Sequence, residues 1–174
     1  MAKIYKLKEK DKELIEFYLI NCPVDYKKKK SKKHVVVSHK GPTFSSLNYQ
    51  SAEITKLLKT FNKTINNNIV WCSNHQEVEA AEARIKHDKG YSDKNFEYVA
   101  IIENTDMFRT RTLFYMIRNA LAHGLFENKG NVYYFKAEKD KKLKALMRLK
   151  YTTLIDLKNR FLNKNFEIEK IKKG

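Results

Sequence analysis

The sequence predicts a mainly α-helical single domain with a small β-hairpin or three-stranded β insertion late in the chain. Six segments space their apolar residues three and four apart, the helical period. Their ends carry the punctuation that helices need, such as Pro23, Gly90 and Gly124. After Gly124 the pattern changes to β-prone runs around a turn. A chain of 174 residues, 42% hydrophobic and 12% aromatic, is enough for one core, and no internal repeat divides it.

Asp11 to Cys22 places Leu14, Ile15, Tyr18 and Leu19 on one helical face, with Asp11 as N-cap and Pro23 as stop. Lys27 to Lys33 holds six lysines in seven residues, a density that predicts a mobile, solvated loop. His34 to Ser38 is a short β-prone run, ended by Gly41-Pro42. Ser46 to Phe61 is helical, with Ile54, Leu57, Leu58 and Phe61 in period. Ile65 to Cys72 holds the only tryptophan, Trp71, read as core. Asn74 to Lys89 is a Glu- and Ala-rich helix with Val78, Ala81, Ala83 and Ile85 as its apolar face.

Ser92 caps a helix bearing Phe96, Val99, Ala100 and Ile102. Thr105-Asp106 caps a longer one from Met107 to His123, which stops at Gly124. Joined at Asn104-Thr105-Asp106, these two predict an antiparallel helical hairpin. Leu125 to Phe135 predicts a β-hairpin turning at Asn128-Lys-Gly-Asn131. Leu143 to Leu149 alternates like a third strand, although its residue types also suit a helix. Thr152 or Thr153 caps a last helix. The expected plan is a helical part over 1–90, the helical hairpin over 92–124, the β insertion over 125–150 and a final helix over 152–165.

The net charge of +16 favours a polyanionic partner, nucleic acid or an anionic surface. A coding bias toward Lys, Asn and Ile gives the same composition. The polar stretch from Met1 to Lys12, the lack of an ~18-residue apolar run and the presence of only Cys22 and Cys72 suggest a cytoplasmic chain with reduced thiols and no membrane span.

Several chemistries lack their residues. Cys72-Ser-Asn-His75 has ligand spacing, but no second pair completes it, so neither a metal nor a cofactor is expected. No phosphate-cradling glycine loop or nucleophile elbow occurs. What stands out is Phe114-Tyr-Met-Ile-Arg-Asn-Ala-Leu-Ala-His-Gly124, which embeds Arg118, Asn119 and His123 in apolar helix. Histidine moves protons near neutral pH, and arginine holds phosphate oxygens bidentately. Together they suit metal-independent RNA cleavage. Arg109 and Arg111 on the same helix are candidates for binding the substrate. On a regular helix Arg118 and His123 lie about 140° and 7.5 Å apart, so a shared cleft needs a distorted helix or a two-fold dimer. The competing reading is a packing network, in which Arg118 pairs with Glu103 or Asp106 and His123 caps the helix.

The run Arg118-Asn-Ala-Leu-Ala-His-Gly124 resembles the motif of the HEPN superfamily, an Arg, often followed by Asn, separated from a His by four to six residues; here the spacer is four. The resemblance implies a HEPN-like helical bundle that dimerises through the motif helix as a metal-independent endoribonuclease. It makes Arg118 and His123 catalytic and Asn119 positioning, with Glu103 or Asn104 as possible helpers. It also implies a toxin or anti-phage (abortive-infection) role, with an antitoxin protein as a possible partner. A non-catalytic basic RNA-binding or adaptor module is the alternative.

Overall fold

Tyr98-Val-Ala-Ile-Ile102 is a strand in the middle of a sheet, and this overturns the predicted helical bundle. The computed structural model describes residues 8–27, 34–36, 41–88 and 94–164. They form a mixed α/β fold. In chain order its elements are α1 (Glu9–Ile15), continued by a π-helical turn (Glu16–Ile20), β1 (Asp25–Lys27), β2 (His34–Val36), α2 (Ser51–Thr64), β3 (Ile69–Cys72), α3 (His75–Asp88), β4 (Tyr98–Ile102), α4 (Arg109–Ala122), β5 (Phe126–Lys129), β6 (Val132–Lys139), β7 (Lys142–Lys150) and α5 (Tyr151–Leu162). The lysine run over 28–33, the 89–93 segment with its Gly90 and Ser92, and the tail over 165–174 lie outside the described residues.

The main sheet has the order β3-β4-β7-β6-β5. β3 and β4 are parallel, joined through α3, and every other pair is antiparallel. β1 and β2 form a separate antiparallel pair. The helix predicted over 96–103 fails for a physical reason. A short continuous apolar run fits a strand buried on both faces as well as it fits a helix. With β3 on one side and β7 on the other, Tyr98, Val99, Ala100 and Ile101 are all buried. There is accordingly no helical hairpin over 92–124. The predicted β insertion is present, but as three of the sheet's five strands. It turns at Gly130 (φ +72°) and at Asp140-Lys141, both with positive φ.

Strand alternation divides the sheet into two faces. Val99, Ile101, Tyr133, Phe135, Ala137, Ala145, Met147 and Leu149 point into the main core, with α4, the π-helical turn, α2 and α5. Ala100, Leu143, Leu146 and Tyr98 point the other way, toward Val78, Ala81 and Ile85 of α3. A register shift near Ala137 makes Lys144 an extra residue, so Leu143 and Ala145 face opposite sides.

The helices anticipated before α3 and after β7 are present with shifted caps. Asp11 is not the N-cap of α1. It sits in the first turn, and its carboxylate accepts the Lys8 N–H at 3.2 Å. Its other oxygen accepts the Tyr133 hydroxyl at 2.6 Å and the Asn128 amide at 3.0 Å, tying α1 to the β5–β6 hairpin. Burial pushes the Asp11 carboxyl up, but these three donors outweigh it and hold it below the usual carboxylate range. A depressed folded value adds stability above the unfolded carboxylate range, and that stability is lost as pH falls through the folded value. Asp11→Asn therefore destabilises the fold at pH 7 by about 1–3 kcal/mol. In urea unfolding, the gap to the parent narrows below about pH 4.

Candidate functional site

α4 is buried on nearly every side. Thr110, Thr112, Leu113, Phe114, Met116, Ile117, Ala120 and Leu121 are all covered. Arg111, Tyr115, Arg118 and Ala122 recur at spacings of four, three and four, so they share a strip about 60° wide that reaches the surface. Asn119 flanks this strip, and exposed His123 ends it. Tyr115 carries neither a permanent charge nor a catalytic group near neutral pH, so its residue type alone does not single it out in the sequence. The i+4, i+3 spacing from Arg111 to Arg118 was the signal that could have found it.

His123 is the residue at which α4 ends. Its N–H still bonds to the Asn119 carbonyl at 3.1 Å, while Gly124 takes φ +65° and its own N–H bonds to Leu121. The positive φ suits glycine, and the exit re-aims the chain into β5. The backbone of His123 thus closes the helix, while its ring stands exposed at the surface.

Arg118 is half-buried. Its Nη1 donates to Asn119 Oδ1 at 3.4 Å. Its Nε is buried and meets no hydrogen-bond acceptor among the described residues. Buried donors are usually satisfied, and this one is an exception among the described residues. The guanidinium lies near Cys22, which follows the π-helical turn. Burial pushes the Cys22 thiol up to about 11, opposed by the Val24 backbone and by the Arg118 charge.

Arg118 and Asn119 are thus hydrogen-bonded, whereas no hydrogen bond joins the His123 ring to either. The helix is regular to its last turn, so one chain leaves Arg118 and His123 on different sides of the axis. The alternative pairing of Arg118 with Glu103 does not occur, because Arg109 takes that carboxylate at 2.8 and 3.2 Å. Arg109 also lies 4.9 Å over the Trp71 ring, at the far end of α4 from the motif. Nine residues along a helix, about 13.5 Å, separate it from Arg118. Glu103 and Asn104 share that far end, where Asn104 accepts the Asp106 N–H at 2.9 Å. Arg111 does lie on the strip, with its guanidinium 5.4 Å from the Phe44 ring and 5.5 Å from Phe108.

Among the described residues, no three His, Cys, Asp or Glu side chains group as a metal ion would require. No described helix is long and apolar enough to cross a membrane. No family model, curated protein or solved structure matches the chain.

Proposed function

We propose that the chain is a metal-independent endoribonuclease whose cleft forms when the α4 strips of two copies meet about a two-fold axis. The observation that carries this reading is the strip itself. A helix buried almost all round leaves Arg118 and Asn119 half-buried at its open edge and His123 exposed at its end, with the Arg118 Nε meeting no acceptor among the described residues. The resemblance of Arg118-Asn-Ala-Leu-Ala-His-Gly124 to the HEPN motif supports it through these residues alone. The helical bundle of that family does not carry over.

In this reading one His123 takes the proton of a 2′-hydroxyl, whose oxygen attacks the adjacent phosphorus. The partner copy's His123 protonates the departing 5′-oxygen. Arg118 neutralises the phosphate oxygens, where charge develops, and Asn119 holds the guanidinium. Two arginine strips repel across a two-fold axis. An RNA phosphate between them offsets that repulsion, so substrate and dimer favour each other. A toxin or abortive-infection role, restrained by an antitoxin protein, is what the same resemblance implies.

The test is a gel of end-labelled single-stranded RNA incubated with pure protein, with and without EDTA. The expected products end in a 2′,3′-cyclic phosphate and a 5′-hydroxyl, and EDTA does not change their amount. Cleavage that disappears with EDTA overturns the reading. A second reading, a non-catalytic RNA-binding module, is favoured by the separation of Arg118 and His123 on one chain. It predicts salt-dependent binding and no product.

A further inference from the structure

Strand alternation places Val132, Tyr134, Arg148 and Lys150 on the sheet face that α3 covers elsewhere, with Val132 opposite Lys150 and Tyr134 opposite Arg148. α3 packs against β3, β4 and β7, so among the described residues this corner of the face lies beyond its cover. There lies a groove of about 670 Å³, lined by Lys94, Lys129, Asn131, Tyr134, Arg148 and Lys150 among others. Four of the lining residues are cations and none is a carboxylate.

Its floor is built rather than incidental. Arg148 is only 7% exposed. Its Nε donates to the Tyr134 hydroxyl at 3.0 Å and its Nη1 to the Phe96 carbonyl at 2.7 Å. The Phe96 and Tyr134 rings lie 5.9 and 5.7 Å from the guanidinium. These contacts fix a permanent charge in place, as anion recognition requires. Glu97, 4% exposed, lies behind the wall. It accepts the Lys150 N–H at 2.7 Å and approaches Lys150 Nζ at 3.6 Å. Glu127 reaches Lys129 at 3.5 Å on the exposed side. Two carboxylates against four cations leave the groove positive.

We propose that this groove binds the sugar-phosphate backbone of single-stranded RNA, as a second contact surface apart from the α4 strip. The inference rests on RNA being the ligand in the function proposed above, but not on its being cleaved. A membrane surface fits less well. It calls for exposed apolar side chains, and the large ones among the described residues, Ile20, Phe108 and Leu162, do not line the groove. The groove also lies within reach of the motif. The extended run from Gly124 to Lys129 spans at most ~17 Å, a distance that a single RNA strand of a few nucleotides covers. The sequence signal was the polar half of β7's alternation, Arg148 and Lys150, set against its apolar half.

The experiment measures binding of a fluorescent 12-nucleotide 2′-O-methyl RNA, which lacks the attacking hydroxyl, by anisotropy against salt concentration. The groove variant is Lys94→Ala with Lys129→Ala, both exposed positions. The control is Lys139→Ala with Lys142→Ala, which removes the same charge at the other end of β6 and β7. The groove variant should lower the log–log salt slope by about 1.4, two single-strand phosphate contacts. The control should leave the slope unchanged, and Lys94→Arg with Lys129→Arg should retain it. Equal loss in groove variant and control, no loss in the groove variant, or no binding by the parent protein overturns the proposal. Groove-dependent binding by a protein that cleaves no ordinary RNA upholds the groove and sinks the ribonuclease reading alone.

Discussion

Truncation of His123 to alanine lowers the rate of RNA cleavage by about 10²–10⁴-fold, the usual worth of a positioned acid or base, while the unfolding temperature stays where it was. The second half of this expectation comes from burial. The His123 ring is exposed, and the contacts that end α4 are made by its backbone, so its loss costs no more than about 0.5 kcal/mol. Arg118→Ala lowers cleavage by about 10²–10³-fold, as removal of an electrostatic stabiliser does. Lysine at that position recovers part of the loss, because it supplies charge without the planar fork. Neither change abolishes the fold, since the one side-chain hydrogen bond of half-buried Arg118 among the described residues is a 3.4 Å contact with its neighbour Asn119. Single-turnover cleavage and thermal unfolding, measured on the same preparations, separate the outcomes. Cleavage that survives both truncations sinks the catalytic assignment. A lowered unfolding temperature with unaltered activity marks the motif as packing.

Phe114→Ala costs about 3–5 kcal/mol and lowers the unfolding temperature by roughly 6–20 °C for a chain of this size. Phe114 is fully buried, and its ring meets Phe17 at 6.3 Å, Tyr18 and Phe161 both at 5.8 Å, and Phe44 at 5.6 Å. Those partners come from the π-helical turn, the loop before α2, and α5, so one ring joins segments far apart in sequence. Truncation leaves a cavity that no single neighbour can fill without losing its own contacts. The check is differential scanning calorimetry against Phe161→Leu, which keeps most of its volume and costs less than about 1.5 kcal/mol. Equal losses in the two variants would show that the cluster relaxes around Phe114 and that the ring is not its centre.

The helices were legible because their apolar residues keep the 3.6 period and one face of each meets the core. The β5–β6 hairpin was legible because Gly130 and its neighbours announce a turn. β3 and β4 were not. Four or five apolar residues in a row carry no periodicity to separate a buried strand from a piece of helix. What decides is the partner: β4 is a strand because β7 and β3 supply its backbone hydrogen bonds, and neither partner is visible locally. The same limit governed the candidate site. Arg118, Asn119 and His123 were found as a motif, and helix geometry set their separation on one chain. That Arg109 would spend its charge on Glu103 and Trp71 depended on where β4 and β3 deliver those residues. The Arg148 groove depended on a sheet face that exists only once β6 and β7 pair.

The place of β4 between β3 and β7 also sets a schedule for the chain as it is made. β4 is complete at Ile102, yet the strand that pairs with its second edge finishes only at Lys150. At translation rates of ~5–20 residues per second, those 48 residues take roughly 2–10 s. Throughout that interval the emerging polypeptide holds Tyr98-Val-Ala-Ile-Ile102 with one row of amides and carbonyls unclaimed, an open template for a neighbouring nascent chain. Synthesis thus passes through a window of vulnerability that closes only when β7 arrives.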